Sequence, residues 1–211
     1  MYQHLPNALT ILRLVLAGVF FVVLNQYRYP DGDDWVLWVS LGLFVTAAIT
    51  DVLDGYLARK WKVETTFGRI MDPFCDKVLV LGAFIYLAGP RFVDPSQPSA
   101  FFNMVSGVYP WMIALILARE LLVTGIRDEM ESRGVRFGAR ISGKLKTLLQ
   151  VIVIPFLLGI AALDPRQPGR EWMAWVRDIL VYATVIVTAV SGIPYVTSAI
   201  RGLRQHRSDP S

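Results

Sequence analysis

Two short stretches gather the side chains able to do chemistry: Asp51-Val-Leu-Asp54-Gly55-Tyr-Leu-Ala58-Arg59 and Gly68-Arg-Ile-Met-Asp72-Pro-Phe-Cys-Asp76. Apolar runs lead directly into the first stretch and out of the second. If those runs continue as helices, Asp51 and Asp54, three residues apart, share one face, and Asp72 and Asp76, four apart, share another. All four carboxylates can then point at one spot. An ionised acid costs about 2.5–3.5 kcal/mol at the centre of a membrane helix and less near the interface, and clustered acids also repel one another. Something cationic must offset that. Oxygen-only ligands, with no histidine nearby and Cys75 on a different face, suit a hard divalent cation of the Mg2+ or Mn2+ kind. Gly55 and Ala58 remove bulk on the turn after Asp54, and Arg59 offers a bidentate fork to phosphate. Metal-binding acids, a small-residue floor and a phosphate clamp at headgroup depth point to phosphoryl chemistry on a lipid.

The elements that must position these residues follow from composition. Of 211 residues, 54% are hydrophobic and only 18% charged, with a mean hydropathy of +0.46, which excludes an ordinary water-soluble domain and a disordered chain. Six apolar stretches approach the length of about 20 residues that a helix needs to cross a bilayer: Leu9 to Leu24, Trp35 to Thr50, Phe74 to Gly89, Pro110 to Gly125, Leu145 to Leu163 and Val176 to Ile200. The expected fold is an all-α integral membrane bundle of six transmembrane helices, one domain over residues 1–211. Lys and Arg concentrate in Arg59 to Lys77, in Arg127 to Lys146 and in the tail at Arg201, Arg204 and Arg207. The positive-inside rule therefore puts both termini and both charged loops on the cytoplasmic side. The start reads as a native N-terminus, since neither a basic leader nor an early cleavage site is present. Trp35, Trp38, Trp111, Trp172 and Trp175 read as interfacial anchors on the outer side.

Other functions are excluded or demoted. One cysteine allows neither an intrachain disulfide nor a cysteine zinc site, and His4 and His206 sit at opposite ends of the chain, against a Ser-His-Asp triad. The formal charge of +4 fits anionic headgroups. Nucleic acid is not expected, because the basic residues lie in short loops without an aromatic stacking surface. Gly138-Ala-Arg-Ile-Ser-Gly143-Lys144 imitates a phosphate-binding loop, but Leu145 stands where Ser or Thr would bind magnesium, and no strand precedes it. Arg119 and Arg127, eight residues apart, fall close to one helical face. Either Arg119 makes an intramembrane pair with Glu120 or another carboxylate, or Arg119, Arg127, Lys144 and Lys146 form a basic pocket for the phosphate of a small acceptor. The pocket is the favoured reading, since a doubly charged phosphomonoester needs cations.

The acid segment resembles the CDP-alcohol phosphotransferase family, whose signature D-x2-D-G-x2-A-R-x8-G-x3-D-x3-D is matched without departure by Asp51, Asp54, Gly55, Ala58, Arg59, Gly68, Asp72 and Asp76. The resemblance implies that the four aspartates bind two divalent ions and that Asp76 is also the general base. It further implies a six-helix homodimer, and that Gly55, Ala58, Arg59 and Thr65 meet the CDP moiety. The opening Leu5-Pro6-Asn7-Ala-Leu-Thr10-Ile-Leu-Arg13 looks like the subfamily that uses glycerol 3-phosphate. So do Ala118-Arg119-Glu120-Leu-Leu-Val-Thr124-Gly125-Ile-Arg127 and Gly143-Lys144-Leu-Lys146-Thr147. By that likeness Asn7, Thr10 and Arg13 line the nucleotide pocket, with helix capping an equal alternative. The implied reaction moves a phosphatidyl group from CDP-diacylglycerol to glycerol 3-phosphate, at the cytoplasmic face of a bacterial membrane. Rival readings are another acceptor (inositol phosphate, serine or phosphatidylglycerol) or a cation channel or carrier.

Overall fold

The computed structural model describes residues 5–61, 66–97, 103–132 and 141–208. These form six long helices: α1 (Leu5–Leu24), α2 (Asp34–Trp61), α3 (Thr66–Leu87), α4 (Pro110–Ser132), α5 (Ile141–Ala162) and α6 (Glu171–Ser208). Within the described residues, Asp34–Leu53, Leu145–Ala162 and Glu171–Ala199 are long and apolar enough to cross a membrane, and Thr10–Leu24 is a shorter apolar stretch. The helices outrun the apolar stretches of the sequence. α3 starts at Thr66 where the apolar run starts at Phe74, and α6 spans 38 residues where the run covers Val176 to Ile200. Hydropathy marks depth in lipid, whereas Arg, Lys and Glu are good helix formers, so the backbone coil continues past the membrane boundary. At 1.5 Å per residue, α2 is about 42 Å long against a hydrocarbon core of about 30 Å. Its last turns therefore carry Asp51, Asp54, Gly55, Ala58 and Arg59 on one unbroken helix.

α1 packs on α2 and α3, α6 on α4 and α5, and α2 on α5. The core between them is aromatic and aliphatic: Phe20, Phe44, Phe84, Leu37 and Ile154 are fully buried. The Phe20 and Phe44 rings lie 5.8 Å apart, tying α1 to α2, and Phe21 stacks on Tyr86 at 5.4 Å, tying α1 to α3. Apolar side chains also point outward, among them Val22, Leu121, Ile179 and Ile193. That surface suits acyl chains, and it explains why the helices show no clean polar face. Trp35, Trp38, Trp111, Trp172 and Trp175 are all exposed, as anchors must be. Two threonine hydroxyls inside the helices are satisfied locally: Thr50 Oγ1 donates to the Thr46 carbonyl at 2.8 Å and Thr184 Oγ1 to the Leu180 carbonyl at 2.8 Å.

The end of the bundle remote from the aspartates is closed by the connection between α3 and α4. Phe92, Val105 and Val108 of that connection are buried. Ser106 Oγ donates to the Leu87 carbonyl at 2.6 Å, and Arg177 Nη1 donates to the Val105 carbonyl at 2.9 Å. Gly107 adopts φ +70°, and a Cβ there would lie 2.7 Å from Arg177 Nε, so both the turn and the close approach require glycine. Ser106 and Arg177 thus satisfy backbone carbonyls within this closure.

Gly82 has no room for a side chain, because a Cβ would sit 2.3 Å from Phe21 Cζ. Gly82→Val is expected to force Phe21 off Tyr86 and destabilise the α1–α3 contact by about 1–3 kcal/mol. A lowered melting temperature in detergent would show it, whereas Gly42→Ala, at a position with nothing within 4 Å, should melt as the parent does.

Candidate active site

Long helices that run past the hydrocarbon region converge on one cavity of about 530 Å³, to which every helix contributes. Arg13 comes from α1, Asp51 from α2, Asp76 and Lys77 from α3, Arg119, Glu120 and Arg127 from α4, Lys146 from α5 and Tyr195 from α6. Phe44, Leu79, Val80 and Val151 supply apolar wall. The cavity is thus a polar chamber bounded by low-dielectric packing, where charges interact more strongly than in water.

One side is acidic. Asp51 and Asp76 both open into the chamber, from adjacent helices. Arg13, whose side chain is 1% exposed, meets Asp51 Oδ1 through Nη1 at 2.6 Å. A guanidinium buried on an apolar helix needs such a partner, and α1 and α2 are thereby joined by charge as well as by packing. Lys77 Nζ donates to Thr124 Oγ1 at 3.0 Å, tying α3 to α4 beside the acids. The donors facing the chamber here are carboxylate oxygens. Among the described residues no histidine or cysteine lines it, and Cys75 is buried, so the chemistry of the donor set fits a hard divalent cation. Asp54 and Asp72 lie on α2 and α3 with side chains outside the described set, so the described residues hold a facing pair of acids and no cluster of three metal-ligating groups.

The other side is basic. Glu120 Oε1 accepts from Arg119 Nη1 at 2.6 Å and also pairs with Lys146 Nζ, joining α4 to α5. Arg119 therefore pairs with Glu120, as the first reading had it, and also lines the chamber. The Arg119 and Arg127 guanidinium carbons lie 6.0 and 5.8 Å from the centroid of the Tyr195 ring. The Nε atoms of both arginines are buried without a hydrogen-bond partner among the described residues. Buried donors of this kind are costly unless a ligand engages them.

Of the remaining expected contacts, Thr10 is buried one turn before Arg13, and half-buried Gly55 follows Asp51 by one turn. Neither is among the described lining residues. Asn7, Ala58, Arg59 and Lys144 sit on α1, α2 and α5 with side chains outside the described set, and Thr65 lies outside the described residues altogether. Tyr195 gains a role that no motif assigned, while Arg13 pairs with Asp51 and Glu120 makes both the pair with Arg119 that the sequence offered and a second one with Lys146. For Arg13 and Glu120 a signal existed, since a lone ion in an apolar helix implies a counter-ion. Tyr195 carried none.

Residues 3–190 match the CDP-alcohol phosphatidyltransferase family. The chain belongs to that family. It is similar to the CDP-diacylglycerol--glycerol-3-phosphate 3-phosphatidyltransferase of Cereibacter sphaeroides, at 35% identity over 83% of this chain and 72% of the relative. It is also similar to the protein of the same name from Bacillus subtilis, at 31% over 91% and 93%. A probable phosphatidylglycerophosphate synthase of Mycobacterium tuberculosis is 34% identical over 97% of this chain and 87% of the relative. The family match covers all six helices at least in part; on α6 it ends at residue 190, before Tyr195.

Glu120 is the one carboxylate seen between Arg119 and Lys146 among the described residues. Glu120→Gln leaves those two buried cations uncompensated and is expected to destabilise the protein by about 3 kcal/mol. A melting curve in detergent reads this directly, and an unshifted midpoint would show that the bridge does not hold α4 to α5.

Proposed function

We propose that this protein transfers the phosphatidyl group of CDP-diacylglycerol to glycerol 3-phosphate, producing phosphatidylglycerol phosphate and CMP. The observation that carries the reading is one chamber lined both by the carboxylates Asp51 and Asp76 and by the basic side chains Arg119, Arg127 and Lys146, with Arg13, Lys77 and Glu120 among its other charged lining residues. A diphosphate to be split and a phosphorylated acceptor need those two environments within reach of each other. The names of the similar proteins support the same substrates. In this reading all six helices span the bilayer as one domain over residues 1–211. Both termini and the chamber face the cytoplasm, and two copies form a homodimer. The basic segments Arg59 to Lys77 and Arg127 to Lys146 support that orientation.

Asp51, Asp54, Asp72 and Asp76 would hold two divalent cations, Mg2+ or Mn2+. When bound, these would neutralise charge on the transferred phosphoryl group and on the departing CMP oxygen. The chain's own residues do the rest. Gly55 and Ala58 leave space for the nucleotide, with Asn7, Thr10 and Thr65 beside it, while Arg59 grips a phosphate. Arg119, Arg127, Lys144 and Lys146 bind the phosphate of glycerol 3-phosphate and so aim its primary hydroxyl at the acids. Asp76 takes the hydroxyl proton as the oxygen bonds to the lipid-side phosphorus. The bond from that phosphorus to the bridging oxygen breaks, and CMP leaves with the oxygen. Arg13 holds Asp51 in place from beneath.

Asp76→Asn should lower turnover by at least about 100-fold, the lower end of what a general base contributes, while CDP-lipid binding persists. Unchanged CMP release would reject the base assignment. Arg127→Ala should raise the KM for glycerol 3-phosphate about tenfold and the KM for CDP-diacylglycerol far less, in keeping with loss of one charge-assisted contact. The reading as a whole is tested by offering purified protein, CDP-diacylglycerol and each acceptor in turn. CMP release with glycerol 3-phosphate is expected, and exclusive use of inositol phosphate, serine or phosphatidylglycerol would refute it. Ion flux in liposomes without lipid turnover would point instead to a carrier.

A further inference from the structure

Tyr195 reaches the chamber from α6, a helix with no motif in it, and its side chain is 1% exposed. Two guanidinium groups stand near the same ring, at 6.0 and 5.8 Å. Like charges on one helix face repel. Glu120 meets Arg119 and Lys146, but among the described residues no carboxylate pairs with Arg127. The aromatic face is what both arginines share, and it attracts cations through its quadrupole. The neighbouring backbone is shaped to allow this. A Cβ at Gly192, three residues before Tyr195 and on the same face of α6, would lie 3.3 Å from Arg119 Cγ. A Cβ at Gly143, near the start of α5, would lie 3.2 Å from the Tyr195 hydroxyl oxygen. Glycine at both positions lets the α4 arginines and the ring come together.

We infer that Tyr195 is a positioning residue that sets the preference for phosphorylated acceptors: its ring keeps Arg119 and Arg127 side by side, ready for a dianionic phosphomonoester. The inference rests on the acceptor assignment above and adds a residue to it. Free arginines would splay into solvent or fold onto the aspartates, and the incoming phosphate would have to gather them. Held on the ring, the two arginines stay in the wall of the chamber, and less ordering is left for the binding step. A neutral alcohol acceptor gains nothing from this arrangement, so the ring contributes to discrimination as well as affinity.

The test uses full-length protein in detergent, with glycerol 3-phosphate as the probe in calorimetry and in turnover. Tyr195→Phe keeps the ring and should change the glycerol 3-phosphate Kd and KM by less than about threefold. Tyr195→Leu should raise both about 10- to 30-fold, the range expected for losing cation–π contacts, with the KM for CDP-diacylglycerol within about threefold. Phenylalanines carrying one to five ring fluorines at position 195 keep the shape and drain the ring face, so Kd should climb with each fluorine. A flat fluorine series, or equal effects on both substrates, would overturn the inference whatever becomes of the leucine variant. Parent protein that neither binds nor uses glycerol 3-phosphate would instead overturn the acceptor assignment itself.

Discussion

Charge placed at the edge of a hydrocarbon bundle must be neutralised by other charge, and that requirement organises this molecule. Arg13 is buried on α1 and is matched by Asp51 on α2 at 2.6 Å. Glu120 on α4 is matched by Arg119 on its own helix and by Lys146 on α5. Each ion would be costly alone in low dielectric. Together they form two cross-helix bridges that frame one chamber, and the apolar core beneath keeps the helices in register. The same constraint makes the chamber reactive, since groups held in place by counter-ions need little rearrangement when a charged substrate arrives.

The division of labour along the helices follows. Their middles are featureless by design of the solvent: apolar side chains face both the core and the surrounding lipid, and the interhelical contacts are aromatic rings and aliphatic packing. Their charged ends carry the proposed site. α2 is 28 residues long and α3 begins at Thr66, so both helices extend beyond their apolar runs and carry the aspartates on rigid backbone rather than on loops. Rigid placement matters for a transfer in which a misplacement of about 1 Å costs rate. The remote end is latched by Arg177, Ser106 and the Asp94–Arg166 pair.

Much of this was legible in the residues themselves. The three- and four-residue spacings of Asp51/Asp54 and Asp72/Asp76 needed only helical periodicity to place each pair on one face; α2 and α3 run through all four, and Asp51 and Asp76 line the chamber, while the side chains of Asp54 and Asp72 lie outside the described set. The eight-residue spacing of Arg119 and Arg127 likewise placed both on one face, and both now stand by one ring. Helix ends were less legible, because hydropathy follows the lipid boundary and not the hydrogen-bonded coil. Tyr195 was illegible for a different reason. Its role depends on α6 lying against α4 and α5, and a long-range contact between a generic apolar helix and a motif leaves no trace in either segment. Gly143 and Gly192 are the same case, since their meaning is the space they leave for a side chain from another helix.

Central to the account is that one chamber seats a divalent cation on its aspartate wall and a phosphate on its arginine wall. Crystals grown with Mn2+ and glycerol 3-phosphate, with diffraction collected at the manganese edge, would place both ligands at once. Anomalous density is expected against Asp51 and Asp76, with the phosphate within hydrogen-bond distance of Arg119, Arg127 or Lys146. Manganese bound elsewhere, or a phosphate lodged away from those three side chains, would contradict it.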